Sequence, residues 1–92
     1  LSVSERLLAA NICRILRESV SFARALTVKE VVDTVVHRIN AVDGLEVEYF
    51  QIVNAETLQP IDDWNDAARV QGCITVYCGE RRVRLIDNIA YQ

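Results

Sequence analysis

Three arginines fall within four positions near the end of the chain: Arg81, Arg82 and Arg84. A guanidinium presents paired N–H donors that match a carboxylate or a phosphate. Two roles fit these residues. They make a polar sheet face neutralised by Glu46, Glu48 and Glu80, or a basic surface facing an anionic substrate across a cleft. The other titratable groups converge less. His37, the single histidine, follows Asp33 by one helical turn and reads as a helix-surface residue, because no convergent partners accompany it. Asp62, Asp63 and Asp66 cluster without the glycine and terminal glutamate of a calcium loop, which leaves a solvated loop. Zinc-ligand spacing is absent, and Gly44, Gly72 and Gly79 are too scattered to cradle phosphate. The residues therefore name no catalytic, cofactor-binding or metal-binding group. Arg82 and Arg84 are the substrate-facing candidates.

These arginines need a sheet to hold them. Val70 to Ile89 contains two strand-like runs, Cys73–Cys78 and Arg81–Ile86, joined by Gly79-Glu80, and a Gly-X pair between such runs predicts a type II′ hairpin. In that register Val76 lies opposite Val83, Tyr77 opposite Arg82 and Thr75 opposite Arg84. Ile74, Val76, Val83 and Leu85 then form an apolar face, and Tyr77, Thr75, Arg82 and Arg84 a polar one. Asp87-Asn88 follows as an Asx-type cap ending the sheet.

Upstream, Ser2-Val3-Ser4-Glu5 fits a capping box, with Ser4 a competing cap. Leu8, Ile12, Ile15, Leu16 and Ser19 recur behind it at helical spacing, so a helix is expected from about Val3 to Phe22, with Glu5 off the stripe and Leu7 and Cys13 available to widen it. Thr27-Val28-Lys29-Glu30 is a second box. It launches Val28, Val31, Val32, Val35, Val36 and Ile39, a period that outweighs the helix penalty of β-branched residues. Gly44 supplies the stop. Leu45 to Val53 alternates at first, until Phe50 and Ile52 break the pattern. Either a bulge lies near Tyr49, or the far half of this strand is covered on both sides. Asn54 to Asp66 is rich in turn formers, with Trp64 expected to plug a gap beneath the loop. Two helices followed by three strands predict an α+β domain with an antiparallel sheet, the valine stripe lying on the hairpin's apolar face and Glu46 and Glu48 beside Arg82 and Arg84.

Ninety-two residues suffice for one modest core. A net charge of −3 argues against a nucleic-acid partner, and no apolar run approaches the roughly 20 residues of a membrane span. Three cysteines without paired spacing suggest reduced thiols and a cytoplasmic location. A first residue of Leu, with a helix cap beginning at once, suits a domain cut from a longer chain.

Arg84-Leu85-Ile86-Asp87-Asn88 after a Gly-turned hairpin resembles the end of the pantoate–β-alanine ligases. The Leu1-Ser2-Val3-Ser4-Glu5-Arg6 run resembles the start of that family's C-terminal domain. Tyr49-Phe50-Gln51-Ile52-Val53-Asn54-Ala55-Glu56-Thr57-Leu58-Gln59-Pro60 is similar to its central strand and following turn. The three stretches are collinear and span nearly the whole chain. The resemblance implies that residues 1–92 are a C-terminal lid whose partner is a Rossmann-like N-terminal catalytic domain, in a parent that is a homodimer. Such enzymes use ATP and Mg²⁺ to convert pantoate to pantoyl adenylate, which β-alanine then attacks to give pantothenate and AMP. The nucleotide motifs of that domain do not occur in this chain, so residues 1–92 alone are expected to be inactive. The acidic Asp62–Asp66 loop is not a general feature of the family. A free-standing α+β interaction module without catalysis is the alternative.

Overall fold

Both capping boxes form, and each starts a helix. In the computed structural model, which describes residues 1–92, the Ser2 hydroxyl accepts from the Glu5 N–H while Glu5 Oε1 accepts from the Ser2 N–H at 2.8 Å. Helix α1 runs Val3–Phe22 and continues into a 3-10 turn, Ala23–Ala25. Thr27 and Glu30 repeat the arrangement at the start of α2, Val28–Asn40. Gly44, at φ +95°, then turns the chain into β1, Leu45–Asn54. A loop containing the 3-10 turn Trp64–Asp66 leads to β2, Val70–Cys78, and a second turn leads to β3, Val83–Ala90. The sheet is antiparallel in the order β1-β2-β3, with both helices on one face, the α+β architecture expected from the sequence.

A bulge resolves the broken alternation in β1. Val47 pairs with Val76 and Tyr49 with Thr75, so Glu48 is the extra residue. Inward side chains are Leu45 and Val47 before it, and Phe50 and Ile52 after it, because one inserted residue reverses the parity of everything that follows.

The hairpin differs from its expected register by two residues. Val76 faces Leu85, Tyr77 faces Arg84 and Cys78 faces Val83, so the turn spans four residues, Gly79 to Arg82. Its closing bond runs from the Arg82 N–H to the Gly79 carbonyl at 3.1 Å, with Gly79 at φ +77° and Arg82 at φ +51°. Gly79 also donates to the Gly44 carbonyl at 2.8 Å, and this tie to the neighbouring loop favours the wider turn. An even slip leaves every side chain on its expected face, so the apolar and polar sets survive it. The same slip carries β3 on to Ala90, and Asp87-Asn88 lies inside the strand rather than capping it.

The core is continuous, from Ile12, Ile15 and Leu16 of α1 through Val31, Val35 and Ile39 of α2 to Phe50, Ile74 and Val76 of the sheet. The helices divide the sheet: α2 lies along β1 while α1 crosses β2 and β3, so the valine stripe meets the first strand rather than the hairpin. Leu7 and Cys13 do not widen the buried face of α1, since both are exposed. Glu5, expected off the stripe, is only 4% exposed. Trp64 does plug the loop, donating its indole N–H to the Leu26 carbonyl at 2.9 Å and packing 5.6 Å from the Tyr91 ring.

Candidate functional site

The arginines lie at one end of the sheet, and the fold gives them unequal roles. Arg81 sits in the β2–β3 turn and reaches the first turn of α1, where its Nη2 and Nε donate to the two carboxylate oxygens of Glu5 at 2.5 and 3.2 Å. Glu5 caps its own helix with the same carboxylate. The Arg81 bonds, followed by the Ser2 N–H, hold the Glu5 carboxyl down at about 2. The pair joins residues 76 positions apart and fastens the start of α1 to the last turn. No local pattern signals it.

Arg82 and Arg84 belong to the open face of the sheet, opposite the helices. Arg84 projects from β3 and donates through Nη2 and Nε to Glu48 Oε2 at 2.9 and 3.2 Å. Arg82 belongs to the turn rather than the strand, yet it points to the same face, pairing with Glu46 at 2.8 Å and lying 4.4 Å over the Tyr77 ring. The Tyr77 hydroxyl donates to Glu48 Oε1 at 2.6 Å. That hydrogen bond, then those from Arg84, lowers the Glu48 carboxyl below its ordinary range, while the carboxylate in turn raises the Tyr77 phenol. The glutamates expected beside Arg82 and Arg84 are therefore their partners. The bulge at Glu48 keeps its carboxylate on the open face, although its place in the strand no longer alternates.

This face is a net-neutral array of exposed ion pairs, each cheap to exchange for another anion. Arg81 differs, because its partner is buried. Two open clefts flank the turn. One of about 220 Å³ is lined by Gly44, Glu46, Tyr77 and Arg82. The other, of about 500 Å³, lies among Ser2, Glu5, Glu80 and Arg81. Further along the open face, Thr75 is fully buried between its cross-strand neighbours Tyr49 and Ile86, and its hydroxyl finds no partner.

The remaining titratable residues stay apart from this end. His37 is exposed, and Asp33 pairs with Lys29 at 3.6 Å instead. The acidic loop spends its carboxylates on its own backbone: Asp66 Oδ2 accepts from the N–H groups of Asp62 and Asp63, and Asp63 Oδ1 from that of Asn65. No set of three or more His, Cys, Asp or Glu side chains converges as metal ligands would. All three cysteines are free thiols.

The model of the pantoate-beta-alanine ligase family matches residues 1–90. Pantothenate synthetases of Porphyromonas gingivalis and Bacteroides fragilis are 49% and 50% identical to the chain over all 92 residues, which make up 32% of each of those proteins. The crystal structure of pantothenate synthetase from Thermus thermophilus superposes with a TM-score of 0.82 at 29% identity, over 99% of this chain and 32% of that one. The chain thus spans about a third of the length of its relatives. With the family model matching residues 1–90 and the fold shared with a solved member, the chain belongs to the pantoate–β-alanine ligases and represents their C-terminal domain.

Proposed function

We propose that residues 1–92 form the lid of a pantothenate synthetase that joins pantoate and β-alanine at the expense of ATP, through pantoyl adenylate. The observation that carries this reading is the family match over residues 1–90 in a chain only a third as long as its relatives. Such a domain works beside a larger catalytic partner. Closing it over an acyl adenylate would exclude water from a hydrolysable intermediate and complete the electrostatic enclosure of the phosphate.

The open sheet face supplies the chemistry for that closure. Arg82 and Arg84 keep 57% and 51% of their side-chain surface exposed, and they can trade Glu46 and Glu48 for an anionic substrate at small cost. Arg81, held by a buried carboxylate, remains a fastener between the turn and α1. ATP and Mg²⁺ belong to the upstream domain in this proposal, as the resemblance to the family implies. The reaction takes place in the cytoplasm, and no helix of the chain is long and apolar enough to cross a membrane. No specific observation favours a free-standing interaction module.

The test uses the full-length parent with Arg82→Ala and Arg84→Ala, following turnover and thermal stability separately. A fall of about tenfold in kcat without loss of stability supports contact with the substrate in the closed lid. Unchanged kinetics in both variants reduce the two arginines to surface ion pairs. In parallel, residues 1–92 alone should catalyse no pantoate-dependent pyrophosphate exchange, and measurable exchange would refute the assignment as a lid.

A further inference from the structure

The edges of the sheet are treated differently. Along β1, the segment around Pro60 folds back, with the Ile61 N–H donating to the Ile52 carbonyl and the Asn54 N–H to the Gln59 carbonyl. Along β3, no backbone hydrogen bond arrives from the outer side, so eight residues keep an open row of donors and acceptors. Such an edge is a template for another strand.

Helix α1 runs beside this edge and leaves a trough. Beside the strand it is a cavity of about 180 Å³ floored by Ala9, Ile12, Cys13, Ile74 and Leu85, with Leu1 at its rim. Further along α1, past the end of β3, a separate cavity of about 280 Å³ lies between Val20, Ala23 and Arg24 on one side and Trp64 and Tyr91 on the other. The floor is mostly apolar, and Ile86 stands 66% exposed on the same strand. Asp87 is the one acid in the trough, and its carboxylate is already used by the Cys13 thiol at 3.5 Å and the Asn88 N–H at 2.8 Å.

The outer rim of the trough is basic. Arg6, Arg17 and Arg24 are exposed and make no ion pair, although the chain as a whole is acidic. Their spacings of 11 and 7 residues put them within about 20° of one line along α1 and its 3-10 extension. From Arg6 to Arg24 that line is about 27 Å long at 1.5 Å per residue. Eight residues of β3 cover nearly the same distance, about 27 Å.

We infer that the trough binds an extended acidic peptide segment of a partner protein, which adds to β3 as a fourth strand. Alternate side chains of such a strand point toward the helix layer, where carboxylates meet the arginine line, while the intervening ones lie beside Ile86 on the open face. Backbone pairing supplies affinity and the charge pattern supplies specificity. The inference is independent of the ligase reading, since it uses the helix side of the β3 edge rather than Arg82 and Arg84.

The experiment titrates the full-length parent with a capped peptide as long as β3, alternating glutamate with valine, and with the same peptide carrying lysine for glutamate. Saturable binding of the glutamate peptide is expected, weakened by salt, with amide exchange slowed on β3. Binding of the lysine peptide should be at least tenfold weaker. Combined Arg6→Gln, Arg17→Gln and Arg24→Gln should weaken the glutamate peptide about tenfold at unchanged Tm, three exposed charge contacts being removed. Equal binding of both peptides, or no slowing of exchange on β3, overturns the inference even if the triple variant fails to fold. A concentration-dependent dimer that protects the same β3 amides without peptide overturns it in favour of a second copy.

Discussion

Replacing Gly79 by alanine tests the β2–β3 turn on which the placement of all three arginines depends. Gly79 sits at φ +77°, a conformation in which an L side chain crowds the neighbouring carbonyl at a cost of about 1–2 kcal/mol. A second contribution comes from packing. A Cβ at this position would lie 3.2 Å from Glu5 Cγ and 3.4 Å from Glu5 Oε2, so it would press on the carboxylate that holds Arg81. The gain from a stiffer unfolded chain, about 0.4–1 kcal/mol, offsets part of this. The net expectation for Gly79→Ala is a loss of about 1 kcal/mol, and for Gly79→Val, whose β-branch resists positive φ further, on the order of 1–3 kcal/mol. For a domain of this size, 1 kcal/mol lowers Tm by about 4–8 °C. Urea unfolding of the parent, Gly79→Ala, Glu5→Ala and the double variant separates the contributions. The backbone cost persists in the Glu5→Ala background, whereas the cost of crowding Glu5 disappears there, giving a measurable coupling. A Gly79→Ala protein within about 0.5 kcal/mol of the parent would refute the positive-φ turn, and strictly additive losses would refute the contact with Glu5.

The Glu5 carboxyl, held at about 2 against an ordinary 4.5, contributes stability that is complete above pH 4.5 and lost as pH falls toward 2. Urea midpoints measured over that range should therefore fall less steeply in Glu5→Gln than in the parent, and an identical slope would show that Glu5 is not specifically paired. Ile39, with no exposed surface, should cost about 2–5 kcal/mol as Ile39→Ala, and a loss below 1 kcal/mol in denaturant unfolding would contradict its place in the core. The Tyr91 hydroxyl lies 2.7 Å from that of Ser19, which itself donates to the Leu16 carbonyl, so Tyr91→Phe should cost about 0.5–1.5 kcal/mol by the same assay. An unaffected variant would mean that water replaces the phenol without loss.

Local chemistry accounts for the parts that were legible in the amino-acid order. Two capping boxes, the valine period of α2 and the face assignments of the hairpin depend on neighbours within a few positions, and each forms where the residues place it. That Arg82 and Arg84 share the open face with Glu46 and Glu48 was also readable, because an even slip keeps side chains on their face, whereas the individual ion pairs depend on the turn that carries Arg82 and on the bulge at Glu48. Register itself was not. The Gly79-Glu80 pair suits a two-residue turn, but the Gly79 bond to Gly44 and the Arg81 bond to Glu5 are long-range, and together they favour a four-residue turn two positions away. The bulge shows the same limit, since the broken alternation left open a bulge near Tyr49 or a strand covered on both sides, and only pairing with β2 decided for the bulge and located the extra residue at Glu48. Glu5 is the clearest case: its sequence context is that of a helix cap, and its burial arises only when α1 crosses β2 and β3 and brings the last turn against the first. Sequence determines what each segment favours alone, whereas tertiary structure decides which distant groups meet: the Arg81 guanidinium brought against Glu5 holds its carboxyl down, against the burial that by itself would raise it.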